Sequence, residues 1–149
     1  MIDPRGFFAD LSEDDEQDPF FLEEPDFAGT LARLSAGEQL RPGQMRHLGY
    51  ARQADLPAWM AFWNSLGSER RLAFLSQLVE QAEADLHADF KLLFEPLLDD
   101  PDPAIRALAI EGLWERDDEA FARRLDRLLR RDADEEVRAQ AAAALGPFI

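Results

Sequence analysis

The sequence predicts an all-α fold: a solenoid of stacked antiparallel helical hairpins, entered through an acidic, irregular N-terminal segment. Three observations carry this expectation. Apolar residues recur at helical spacing from Phe27 onward, aspartates and prolines mark the helix starts, and the last third repeats itself at a shift of 32 residues. No segment requires a strand.

The N-terminal segment, residues 1–25, stands apart. Residues 1–30 hold ten acids against Arg5 alone, and the aromatic pairs Phe7-Phe8 and Phe20-Phe21 follow neither a period of 3.6 nor one of 2. Its acidity predicts a solvated tail. Its phenylalanines predict a peptide that docks on a groove. Both readings stand at this point.

Residues 26–149 read as helical. Asp26 is positioned to cap a short helix through Leu31 and Leu34, and Pro42, Gly43 and Gly49 interrupt the stretch from Leu40 to Gln53. A hairpin over 55–86 follows. Asp55 and Pro57 open its first helix, with Leu56, Trp59, Met60, Trp63 and Leu66 on one face. After Gly67, with Ser68 as cap, the second helix runs through Leu72, Leu75, Leu78, Val79, Ala82 and Leu86. So short a link predicts an antiparallel pair. Two further hairpins cover 89–116 and 118–146. Their second helices are opened by Asp102-Pro103 and Asp134, and Gly146-Pro147 stops the last. The three tryptophans, Trp59, Trp63 and Trp114, lie on amphipathic runs and are expected in the core.

Shifted by 32, Leu93 falls on Leu125, Leu97 on Leu129, Asp100 on Asp132, Asp102 on Asp134, Ile105 on Val137, Arg106 on Arg138, Ala109 on Ala141 and Leu113 on Leu145. A single small hairpin cannot enclose an apolar core, so the units must stack. Over 89–146 the text Asp102-Pro-Ala-Ile-Arg-Ala-Leu-Ala-Ile-Glu-Gly-Leu113 and Asp134-Glu-Glu-Val-Arg-Ala-Gln-Ala-Ala-Ala-Ala-Leu-Gly146 resembles the HEAT-repeat family, including its short bacterial, bilin-lyase-type repeats. The 55–86 hairpin matches only in helix lengths and reads as a degenerate or capping repeat. The resemblance implies a ladder in which a turn Asp and the Arg six residues later link neighbouring repeats. Asp100/Arg106 and Asp132/Arg138 have that spacing, which makes them structural ladder residues.

The chemistry the sequence excludes is as informative. With no cysteine, disulfides, thiolate metal sites and cysteine nucleophiles are absent. Glu83 and His87 share an i, i+4 face, but two ligands do not make a metal site, and a solvated or capping histidine is the plainer reading. Asp99, Asp100, Asp102, Asp117 and Asp118 lack the glycine and terminal glutamate of a calcium loop and read as helix caps. No nucleophile–base pair or glycine-rich phosphate loop occurs, so no catalytic, cofactor-binding or metal residue is assigned. The net charge of −15 argues against nucleic acid or an anionic membrane as partner. Neither an apolar span nor a signal-like start is visible, and a cytoplasmic location is expected.

The expected function is a non-catalytic scaffold or adaptor that binds other proteins. Its candidate contact residues are the one basic cluster, Arg123, Arg124, Arg127, Arg130 and Arg131, together with Phe7, Phe8, Phe20 and Phe21. The alternatives are a nucleic-acid binder using the arginine cluster, or a bilin-lyase-like enzyme; the latter rests on shared repeats alone, and fold does not carry activity. The apolar ending Ala144-Leu145-Gly146-Pro147-Phe148-Ile149 predicts a longer parent solenoid, or cover by a partner or a second copy.

Overall fold

In the computed structural model the described residues are 24–148, and they are all-α, without an extended strand. The chain divides into two compact units, Met1–Leu93 and Phe94–Ile149.

In the first unit, α1 (Phe27–Ser35) starts where the Asp26 carboxylate accepts the Gly29 N–H at 2.8 Å. It stops at Gly37, whose φ of 88° only glycine adopts without strain. There the Glu38 and Gly37 N–H groups donate back to the Arg33 and Leu34 carbonyls, closing the helix in a Schellman turn. The interrupted stretch resolves into α2 (Pro42–Met45) and a 3₁₀ turn, Arg46–Tyr50. Gly49 is there for space: a Cβ would lie 2.9 Å from the Asp89 carbonyl oxygen.

The hairpin helices are α3 (Leu56–Ser65) and α4 (Ser68–Ala84). Trp59, Trp63, Phe74, Leu75 and Leu78 are fully buried between and around them. Ring centroids lie 6.0 Å apart for Trp59–Trp63 and 6.1 Å for Trp59–Phe74. The buried indole is satisfied, because Trp59 Nε1 donates to the Leu93 carbonyl at 3.1 Å.

Several local expectations change here. Asp55 makes no cap bond to α3; its carboxylate accepts the Arg52 N–H at 2.8 Å and so serves the 3₁₀ turn Gln53–Asp55. Gly67, not Ser68, precedes α4 as its cap residue. Leu86 is outside α4 and 91% exposed. The Asp85 side chain turns to accept the His87 N–H at 2.9 Å, which ends the helix and swings Leu86 outward.

The division between units falls within α5 (Lys91–Phe94). In the second unit, Glu95–Asp99 is 3₁₀ and not α, because Pro96 has no N–H for the Leu92 carbonyl. Then come α6 (Pro103–Gly112), α7 (Glu119–Arg131) and α8 (Glu135–Leu145). Asp102 accepts the Ala104 N–H at 2.9 Å and Asp118 the Phe121 N–H at 3.2 Å. Asp134 makes no such bond, so α8 begins without a side-chain cap. α7 packs on α8 across a three-residue turn, and α8 packs on α6. Ile105, Ala109, Leu113, Phe121, Leu125, Val137 and Ala141 form the apolar seam.

Trp114 is a correction. It is 53% exposed, because α6 ends at Gly112 and the helical phase that would have buried it stops there.

Candidate functional site

The second unit is held by a fork. Arg106, in the first turn of α6, donates from Nε and Nη2 to Asp132 Oδ2 and Oδ1, both at 2.9 Å. Its remaining nitrogen, Nη1, donates to the Asp100 carbonyl at 2.8 Å and the Pro101 carbonyl at 3.1 Å. The side chains are only 16% and 6% exposed. Within each turn the aspartate also organises its own backbone: Asp100 Oδ1 accepts the Asp102 N–H and Asp132 Oδ1 the Asp134 N–H, each at 2.9 Å. One repeat's arginine thus holds its own turn by the carbonyl and the next repeat's turn by the carboxylate. Bidentate pairing fixes orientation as well as distance. The Arg106 donors hold the Asp132 carboxyl below its ordinary value, and Asp132 in turn raises that of Arg106.

Arg138, which is Arg106 shifted by one repeat, reproduces half of this geometry. Its Nη1 donates to the Asp132 carbonyl at 2.8 Å. Among the described residues no carboxylate takes its other edge.

Two further braces escaped the sequence reading. Arg116 donates to both Asp118 oxygens at 2.8 and 2.7 Å, lies 3.2 Å from Glu95, and stacks 4.9 Å above the Phe121 ring. The Arg116 donors lower the Asp118 carboxyl to about 2. In the first unit, Arg46 pairs with Asp85 at 2.5 Å, and Asp85 carries the same turn bond to its i+2 N–H as Asp100 and Asp132. Asp85 was hidden because the expected helix ran on through Leu86, whereas α4 ends at Ala84 and leaves Asp85 as a turn aspartate. Arg46 gave no local signal, since its partner lies 39 residues away.

The basic cluster is largely tied to carboxylates. Arg123 pairs with Glu119, Arg124 with Asp99, and Arg130 with Asp126. Arg127 and Arg131 are exposed. Phe7, Phe8, Phe20 and Phe21 lie outside the described residues. In the first unit, α1 and α3 border an open groove of about 610 Å³ floored by Phe27, Leu31 and Phe62. His87 and Glu83 are both exposed, and among the described residues no three His, Asp or Glu side chains gather as metal ligands. No helix of the described residues is long and apolar enough to cross a membrane.

Residues 90–148 match the model of a family described as HEAT repeats. Over these residues the chain is similar to HEAT repeats, in agreement with the resemblance read from the sequence. The HEAT match takes in the whole fork, from the Asp100 turn to Arg138. No curated protein and no solved structure matches the chain. HEAT repeats generally mediate protein–protein interaction.

Proposed function

We propose that this protein is a non-catalytic scaffold or adaptor whose HEAT unit presents a surface to a protein partner. The HEAT match supports the class of function, and Trp114 carries the reading to a particular surface. A tryptophan 53% exposed on an otherwise well-packed unit leaves an amphipathic ring in water, and such residues anchor interfaces when a partner desolvates them. The charged residues around it serve the fold: Arg116, two positions on, is committed to Asp118 and Glu95. The nucleic-acid alternative is weakened, because three of the five clustered arginines already face carboxylates.

The test is quantitative capture of partners from the source organism by the full chain and by Trp114→Ala, followed by titration of the enriched protein. The reading expects at least one protein bound about tenfold more weakly by the variant, the loss of one interface anchor. Equal binding by the two forms, or nothing enriched above background, contradicts it.

A further inference from the structure

The groove between α1 and α3 is built to take apolar rings. Its floor is the packed trio Phe27, Leu31 and Phe62, and its walls are exposed alanines, Ala28 and Ala32 from α1 and Ala58 and Ala61 from α3. Side chains this short leave the floor within reach of a visitor. At about 610 Å³ the groove falls inside the ~300–1,000 Å³ range of sites that enclose small, mostly apolar ligands. Among the described residues the one charged member of the lining is Asp55, and its charge is already compensated. It accepts the Arg52 N–H at 2.8 Å and lies 4.0 Å from Arg52 Nε.

We propose that this groove is the docking site of the chain's own N-terminal segment and that it takes the rings of Phe20 and Phe21. Three observations select this occupant over a separate protein. The first is the root of the segment. Asp26, directly before the groove residue Phe27, donates its N–H to Nδ1 of the buried His47 at 3.1 Å, which fixes the point from which residues 1–23 depart. The second is reach. From Phe27 to Ser35 the groove follows α1 for about 12 Å, at ~1.5 Å per residue. Phe21 stands five residues before Asp26, so about 17 Å of extended chain is at hand, enough to turn back at Pro25 and enter the groove. The third is composition. Phe20-Phe21-Leu22 is an apolar run bounded by Pro19 and by Glu23-Glu24-Pro25, so it brings rings to the floor while its acids stay in water. A short flexible tether of this kind sets an effective concentration in the millimolar range, roughly 1 mM, which a second copy or a free protein lacks. Phe7-Phe8 stand 13 residues farther from the root and compete at a lower effective concentration. This contact is independent of the partner surface at Trp114.

The test uses the full chain and a fluorescently labelled peptide of residues 16–26 as the probe. In the native chain the tethered segment holds the groove, so the peptide should bind about tenfold more weakly than it does to Phe20→Ala/Phe21→Ala. That is the expected handicap of a competitor with a Kd of about 0.1 mM against a tether of about 1 mM. Phe7→Ala/Phe8→Ala should behave as the native chain does. Ala61→Glu, at an exposed position of the wall, should abolish peptide binding when added to Phe20→Ala/Phe21→Ala. Alanine methyl resonances give a second readout. Those of Ala28, Ala32, Ala58 and Ala61 should move on Phe20→Ala/Phe21→Ala and should stay in place when the native chain is diluted. Equal peptide binding by the native chain and Phe20→Ala/Phe21→Ala, or methyls that do not move, overturns the proposal. Peptide binding that survives Ala61→Glu puts the contact elsewhere and overturns it too. Relief by Phe7→Ala/Phe8→Ala instead would overturn the choice of segment, and methyl shifts that vanish on dilution would show a second copy in the groove and overturn the intramolecular occupant.

Discussion

The two units solve the same problem with different materials. In the first, the hairpin α3–α4 is joined by large aromatic side chains: Trp59, Trp63 and Phe74 are fully buried, with Phe62 packed against them. In the second, tryptophan is absent from the core, the seam is mostly alanine, leucine, isoleucine and valine with Phe121 among them, and orientation is set by the bidentate pair of Arg106 and Asp132. Area burial is strong but non-directional, whereas a fork between planar groups holds register. An irregular hairpin can rely on the first. A repeating array benefits from the second, because the same small device serves at each step.

The difference can be broken most severely in the aromatic unit. Trp59→Ala removes a fully buried ring together with its bond to the Leu93 carbonyl, and should destabilise the fold by about 3–5 kcal/mol in denaturant unfolding. Arg106→Ala leaves the Asp132 carboxylate, 6% exposed, without its principal partner, and the expected loss is about 2–3 kcal/mol.

The same pair gives the second unit an acid-sensitive component. Because the folded value of Asp132 lies below its unfolded value, the contribution is present above about pH 4 and is lost as the pH falls through the lower folded value. Unfolding midpoints of the native chain and of Asp132→Asn should therefore differ near neutrality and converge in acid.

Smaller changes sharpen the contrast within the ladder. Arg138→Ala removes one charged donor from the Asp132 carbonyl and no carboxylate pair, so about 1 kcal/mol is expected, well below the cost at Arg106. Arg127→Ala, on an exposed position of α7, should change stability by no more than about 0.5 kcal/mol.

What was legible in the sequence follows from how local each cause is. The repeat over 89–146, the caps at Asp26, Asp102 and Asp118, and the burial of Trp59 and Trp63 are consequences of spacing and short-range hydrogen bonding. The misses came where a distant group overrode the local pattern. Gly49 reads as a helix interruption, yet its role is the close approach of the Asp89 backbone 40 positions on. Leu86 continues a helical stripe in sequence, but Asp85 leaves the helix to meet Arg46. Trp114 lost its partner face because α6 closes two residues earlier. The acid that takes the Arg106 fork was fixed by the stacking of repeats, since Asp132 is 26 residues away while the Asp six residues before offers only its carbonyl.

The central claim is that Arg106 and Asp132 act as one unit that orients the HEAT hairpins. A double-mutant cycle measures it directly: Arg106→Ala, Asp132→Ala and the double variant, each unfolded in denaturant. The account predicts a coupling of about 2 kcal/mol, so that the second substitution adds little once the first is made. Additive losses, with a coupling below about 0.5 kcal/mol, would show two independent residues and contradict it.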